Sequence, residues 1–326
     1  MKAVQFKFGG DHDVVNLPKP KPVSGEIVVQ VKYSALDTAH PACLNKELSG
    51  YFLHSLKAPL YLGYHYSGVV ETVGADVTDL ATGTGVFGFL QYEPSQIQGA
   101  LAEYITVKRQ DCAVKPASVA YELAAASATE SVTALQAMRD LGGLVGKGQF
   151  VLINGSAGGV GSAAVQIAKR LGAHVTAVCS TKDVERVKEW GADNVIDRTK
   201  EPNFLKTLLK QKETKFDVIL DAPNMLSSCA TGLLQPKGGA IVNTVPTLTM
   251  VIGKIKTMLS CKKTVTSVHC RAKEADLKLV CQWLEEGDLE IPIDSIYKIN
   301  NMQAAMNKQV MTGKKGRIVI QVENGW

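Results

Sequence analysis

Gly158, Gly159 and Gly161, in the run Asn154-Gly155-Ser156-Ala157-Gly158-Gly159-Val160-Gly161, are spaced to cradle a phosphate. Val151-Leu152-Ile153 before them reads as a buried strand, and Ser162-Ala163-Ala164-Val165-Gln166-Ile167-Ala168-Lys169 after them has helix periodicity. Strand, glycine turn and helix in that order make the phosphate loop of a dinucleotide-binding unit. Gly158 leaves room for a pyrophosphate against the backbone, and Gly161 lets the helix pack on the strand. The free N–H groups and positive dipole end of the helix then face the phosphates. Ser156 stands where the usual G-x-G-x-x-G carries its first glycine. Taken alone, the motif also suits an ordinary strand-to-helix turn.

A second strand, ending His174-Val175-Thr176-Ala177-Val178-Cys179, follows at the spacing of about 20 residues that such units use. An NAD site closes this strand with an Asp or Glu that binds the ribose 2′-hydroxyl. Here Cys179 holds that place, and Ser180, Thr181 and Lys182 follow it. Hydroxyls and a cation, without a carboxylate to repel a 2′-phosphate, favour NADPH over NADH. The alternative is that Lys182 only begins a solvated helix over residues 183–190.

These residues need a scaffold, and the chain is long enough for one. Its 326 residues, 45% hydrophobic and 21% charged, are ordinary globular composition with room for two cores. A net charge of +5 spread along the chain, with no basic run, excludes a nucleic-acid reader. No segment reaches the length of a membrane span, and the apolar stretch over residues 250–259 is broken by Lys254 and Lys256. Residues 1–6 read as a strand with no secretory signal, and seven scattered cysteines without C-x-x-C spacing suggest reduced thiols and a cytoplasmic setting.

Residues 1–121 read as short strands with turn signals, including 26–32, 66–73 and 100–108, and suggest a β-rich, barrel-like domain. Over 122–268 helix and strand alternate, with a helix at 122–141 and buried strands at 217–222 and 239–244. That pattern predicts a parallel sheet covered on both faces. Residues 269–326 carry a helix at 272–286 and a last strand at 316–322 that returns to the first domain.

End to end, the chain resembles the zinc-independent quinone oxidoreductase and enone reductase branch of the medium-chain dehydrogenase/reductase superfamily. The resemblance rests on Gly25-Glu26-Ile27-Val28-Val29, Ser67-Gly68-Val69-Val70-Glu71, Gly99-Ala100-Leu101-Ala102-Glu103-Tyr104, the glycine loop, and Gly316-Arg317-Ile318-Val319 in that order. It implies an α/β chain in which a Rossmann doubly wound parallel-sheet domain is inserted into a GroES-like catalytic domain. It also implies NADPH in a cleft between the domains, a homodimer paired through Rossmann sheet edges near Ile241, and a small quinone or enone substrate. For the cofactor it places Thr133 at the nicotinamide amide, Ser156, Ala157, Gly158, Gly159 and Val160 at the pyrophosphate, and Ser180, Lys182 and Arg198 at the 2′-phosphate. Arg317 is either a further phosphate or ribose contact or a surface residue.

Zinc-using relatives hold their metal at positions that fall here on Asp37, Tyr64 and Thr129, a poor donor set for zinc. The expectation is therefore no metal, even by improvisation from Asp37, His40 and His65. Where the branch usually reads Ala-Leu-Asn-Pro-x-Asp, this chain has Ala35-Leu36-Asp37-Thr38-Ala39-His40. Asp37 either faces the substrate, favouring one that donates a hydrogen bond, or caps a local turn. Tyr64 is the candidate donor to a developing enolate, with an aromatic packed beneath the cleft as its alternative. Tyr51 and Phe52 either receive a planar substrate or pack on their own domain. Besides catalysis, the resemblance admits a non-catalytic NADPH-binding protein of crystallin or sensor type; a zinc alcohol dehydrogenase fits least.

Overall fold

Alternating apolar residues make β3 (Glu26–Leu36), an 11-residue strand in which Ile27, Val29 and Val31 are buried, the spine of the first unit. The computed structural model describes residues 1–146, 148–211, 215–226, 230–244 and 263–326. Its first compact unit comprises Met1–Val132, Cys270–Gly287 and Ile291–Trp326; the second comprises Thr133–His269 and Asp288–Glu290.

In the first unit β1 (Lys2–Phe6) and β2 (His12–Asn16) form an antiparallel pair. The main sheet adds β4 (His65–Val73), β5 (Gly85–Phe89), β6 (Tyr104–Lys108), β7 (Cys112–Val114), β14 (Ile293–Lys298) and β15 (Arg317–Gln321). Its order is β14-β15-β3-β4-β5-β7, and β6 also pairs with β3. The last strand does return, with Ile318 opposite Leu36. Because β15, β3, β4 and β5 are antiparallel neighbours, the end of one lies beside the start of the next. Arg317, Leu36, His65 and Phe89 therefore share one end of the sheet. Helices α1 (Ala39–Leu44) and α2 (Gly50–Leu53) follow β3 at that end, and α3 (Tyr121–Leu135) leads into the second unit.

The second unit is a parallel sheet of β8 (Phe150–Asn154), β9 (His174–Cys179), β10 (Asn194–Asp197), β11 (Val218–Asp221), β12 (Gly239–Asn243) and β13 (Lys263–Ser267), in the order β10-β9-β8-β11-β12-β13. Leu152, Val178, Ile219, Ile241 and Val265 form its core with Leu208 of α6 (Phe204–Lys210). Helices α4 (Gly159–Arg170) and α5 (Val184–Glu189) also belong to this unit, and α7 (Glu274–Glu286) and α8 (Met302–Val310) belong to the first unit.

One expectation is corrected. Ile241 lies on β12, between β11 and β13, so its strand is not the sheet edge. Among the described residues the outer strand on that side is β13, Lys-Thr-Val-Thr-Ser, whose single apolar residue, Val265, gave no run of buried positions to read. Residues 250–259, Cys229 and Cys261 lie outside the described residues. The five described cysteines are buried, and no described helix is long and apolar enough to cross a membrane.

Candidate active site

In the second unit the glycine loop has the shape its sequence requires. Gly155 turns with φ +78°, and the backbone N–H groups of Gly155 and Ser156 both donate to the Val178 carbonyl at the end of β9. The Ser156 hydroxyl donates to the same oxygen at 3.0 Å, so this side chain braces the loop from below. A Cβ on Gly161 would stand 2.2 Å from the Gly155 carbonyl oxygen, so only glycine lets α4 start this close to the loop. At Gly158 a Cβ would meet only that same oxygen, at 3.3 Å, which leaves open space in front of the backbone. Ala157, Gly158, Gly159 and Val160 line the helix start around that space.

The register of β9 with β10 sets Asp197 beside Cys179, and the Arg198 N–H donates to the Cys179 carbonyl. Ser180, Lys182 and Arg198 are thereby gathered at the ends of these two strands, with Lys182 and Arg198 exposed. Two carboxylates come with them. Asp183 accepts the Ser180 hydroxyl at 2.7 Å and Arg186 at 3.0 Å, while Asp197 accepts the Thr199 N–H at 3.0 Å. Cys179 alone did not reveal these acids, because strand pairing and the following turn bring them in.

In the first unit Asp37 sits just past β3, about 8% exposed. Its Oδ1 accepts the Ala39 N–H at 2.8 Å and contacts His40 Nδ1 at 2.9 Å; its Oδ2 contacts His65 Nε2 at 3.0 Å and accepts the Tyr92 hydroxyl at 2.6 Å. An ionised carboxylate has about four acceptor positions, and all are used. Burial pushes this carboxyl up, but the hydrogen bonds from His40 and His65 outweigh it and hold it well below the usual carboxylate range. On the far side of His65, Nδ1 lies 3.6 Å from Glu130 Oε2. Glu130 is in turn ion-paired with Arg317, whose Nη2 is 3.2 Å from His65 Nε2. All six side chains belong to the first unit.

Two family models match the chain. Residues 23–117 match the alcohol dehydrogenase GroES-like domain, and residues 159–286 match the model described as zinc-binding dehydrogenase. The mitochondrial NAD(P)H oxidoreductase RTN4IP1 of Bos taurus is 32% identical over 286 residues, covering 81% of this chain and 71% of its own. The chain belongs to the medium-chain dehydrogenase/reductase superfamily, in its quinone oxidoreductase branch. The chloroplast envelope quinone oxidoreductase homolog of Arabidopsis thaliana is 28% identical over 98% of both chains. The quinone oxidoreductase structure from Coxiella burnetii superposes with a TM-score of 0.83 at 25% identity, over 99% of each chain.

Within this dehydrogenase/reductase chain the remaining expected residues fall in different settings. Tyr64 is fully buried, stacked on Tyr92 with ring centroids 4.2 Å apart, and meets His40 and His54 edge-on. Its hydroxyl donates to the Leu53 carbonyl at 3.4 Å and lies 3.6 Å from Cys43 Sγ. Burial raises this phenol well above its ordinary pKa. Turnover in Tyr64→Phe, read by steady-state kinetics, is expected to match the parent, because the ring does the packing; a collapse of kcat would restore the hydroxyl to the chemistry. Tyr51 and Phe52 stand on α2, each about half exposed, and Thr133 is buried on α3. Arg317 is turned onto Glu130 rather than outward to solvent.

Tyr92 and Glu130 went unread in the sequence. Tyr92 sits in a loop after β5 without a motif, and only the fold brings it to Asp37. Glu130 left a faint signal, as the one charged residue between Leu123 and Leu135.

Proposed function

We propose that this chain is an NADPH-dependent oxidoreductase that reduces quinones or activated C=C bonds without zinc. The observation that carries it is the fourfold engagement of Asp37. A metal at that position would have to displace N–H and O–H groups already donating to both carboxylate oxygens. Tyr64 adds a neutral, buried phenol whose hydroxyl is spent on Leu53, and among the described residues no group of three or more His, Cys, Asp or Glu is placed to hold a metal ion. The residues present do not fit a catalytic zinc. Direct alcohol oxidation would then lack a Lewis acid for its alkoxide, whereas an electron-poor quinone or enone accepts hydride with hydrogen-bond help alone.

The open space at Gly158 and the N-terminus of the 12-residue α4 fit the pyrophosphate of a nicotinamide dinucleotide. Ala157, Gly158, Gly159 and Val160 would hold it, with Ser156 bracing them, and Thr133 would meet the nicotinamide amide. Ser180, Lys182 and Arg198 would hold the 2′-phosphate, with Asp183 and Asp197 already turned onto Arg186, Ser180 and local N–H groups. When bound, the cofactor supplies a hydride. Asp37, saturated by its own protein, organises donors and leaves substrate contact to its neighbours. The buried, described cysteines agree with a reducing compartment such as the cytoplasm, and β13, one of the two outer strands among the described residues, would be the edge for a homodimer.

Cofactor oxidation followed against 1,2-quinones, 1,4-quinones and α,β-unsaturated ketones tests this reading. NADPH is expected to outperform NADH, and Arg198→Ala to weaken NADPH roughly 10-fold, about 1.4 kcal/mol, while leaving NADH unchanged. Tight NADPH binding with no turnover on the whole panel would point to a sensor, and a preference for NADH would remove the 2′-phosphate assignment.

A further inference from the structure

Ser180 has one proton to give, and Asp183 already holds it. The hydroxyl donates to Asp183 Oδ2 at 2.7 Å, and Asp183 Oδ1 takes Arg186 Nη2 at 3.0 Å. Arg186 also lies over the Trp190 ring, 5.0 Å from its centroid, so this cation is engaged as well. Asp183 is about 8% exposed, which keeps water from competing for these bonds. All of these residues belong to the second unit, together with the glycine loop. Burial, then Asp183, then Asp197 push the Cys179 thiol up to about 11, against the Ser156 hydroxyl of that loop and Arg198. The place at which an NAD site carries one ribose-binding acid is therefore bordered here by two, and on that sulfur each outweighs the Arg198 cation.

A ribose 2′-hydroxyl can both donate and accept a hydrogen bond, whereas a 2′-phosphate near neutral pH presents acceptor oxygens. With its proton on Asp183, Ser180 has only lone pairs left for a ligand. Those lone pairs suit a 2′-hydroxyl and repel a phosphate. To serve a phosphate, the Ser180 O–H would have to leave Asp183, which strips a buried carboxylate of a donor and leaves two anions side by side. We propose that Asp183 is a specificity-determining residue of the cofactor site: it withholds the Ser180 proton from a 2′-phosphate, presents Ser180 as an acceptor to a ribose 2′-hydroxyl, and so lets the chain use NADH beside NADPH. The proposal rests on the cofactor reading above and refines it. Lys182 and Arg198, both exposed, carry the preference for the phosphate, and Asp183 holds that preference down. Acting through Ser180, Asp183 is a positioning residue.

Calorimetric titration of NADPH and of NADH into the full chain, with no substrate present, tests this apart from turnover. Asp183→Asn removes the charge and keeps a side chain suited to start the following helix. It is expected to tighten NADPH about 10-fold, to leave NADH unchanged or weaker, and so to widen the ratio of the two dissociation constants by at least that factor. An Asp183 that merely held the local fold would, when replaced, weaken both cofactors alike; that result, or an unchanged ratio, overturns the proposal. Ser180→Ala is the second arm, and it decides alone should Asp183→Asn fail to fold. In the parent background it is expected to weaken NADH about 3- to 10-fold and to change NADPH by less than about 2-fold. An equal or larger loss for NADPH would mean that Ser180 gives its proton to the phosphate, against the proposal. In the Asp183→Asn background the same substitution should cost NADPH its gain. Failure of the parent to bind either cofactor would remove the cofactor reading and this proposal with it, whereas binding with a ratio indifferent to Asp183 removes the proposal alone.

Discussion

Asp37→Ala is expected to lower stability by about 3–5 kcal/mol, the cost of removing one partner from a buried charged network. The alanine leaves the Ala39 N–H, the Tyr92 hydroxyl and two imidazole nitrogens without their common acceptor, in a place where water hardly reaches. A fall in melting temperature on the order of 10 °C follows for a domain of this size. The pH dependence gives a sharper mark. Because the folded Asp37 carboxyl is held below its ordinary value, its contribution is complete above the unfolded value of about 3.9 and is lost as pH falls through the folded one. The stability difference between parent and Asp37→Ala, from denaturant unfolding, should therefore be constant near neutrality and shrink below about pH 4. A difference that persists unchanged into strong acid would mean the side chain stabilises by packing alone.

Gly161→Ala sets two effects against each other. Within a helix, alanine gains roughly 0.5–1 kcal/mol over glycine. Here its Cβ would fall 2.2 Å from the Gly155 carbonyl oxygen and 2.8 Å from both the Gly155 carbonyl carbon and Ser156 Cα, all of them backbone atoms that cannot swing aside. Forced overpacking costs about 1–3 kcal/mol, so the clash wins and the helix start is pushed off the loop. Both the melting temperature and NADPH affinity should drop, the affinity by roughly 10-fold or more. Gly158→Ala is the control. Its backbone φ of −79° suits alanine and its Cβ would meet a single atom, the Gly155 carbonyl oxygen, at a tight 3.3 Å, so stability should fall far less than in Gly161→Ala while NADPH binding weakens. Equal effects of the two substitutions on stability would contradict the distinction between a packing glycine and a ligand-facing one.

Elements with strong local patterns were legible in the sequence. The glycine loop, the alternation of β3 and the apolar runs of β8, β11 and β12 each carry their own period, and each folds as that period implies. Strands β13 and β14 were not legible, since Lys-Thr-Val-Thr-Ser and Ile-Asp-Ser-Ile-Tyr-Lys are paired into sheets by their neighbours rather than by a buried run of their own. The Asp37 network was legible only in part. Asp37, His40 and His65 stood out as chemistry-bearing residues, but their hydrogen-bonded arrangement depends on Tyr92, Glu130 and Arg317, which arrive from three other segments through antiparallel register and α3. The same holds at the ends of β9 and β10, where a turn adds Asp183 and strand pairing adds Asp197 to a place where Cys179 alone showed no acid.

The most direct test of the reductase reading is the fate of the hydride. NADPH carrying deuterium at nicotinamide C4, incubated with the protein and an α,β-unsaturated ketone and followed by mass spectrometry and NMR of the product, is expected to give a saturated ketone bearing one deuterium on its β carbon. Cofactor that binds and stays reduced, or product whose β carbon carries only solvent hydrogen, would contradict it.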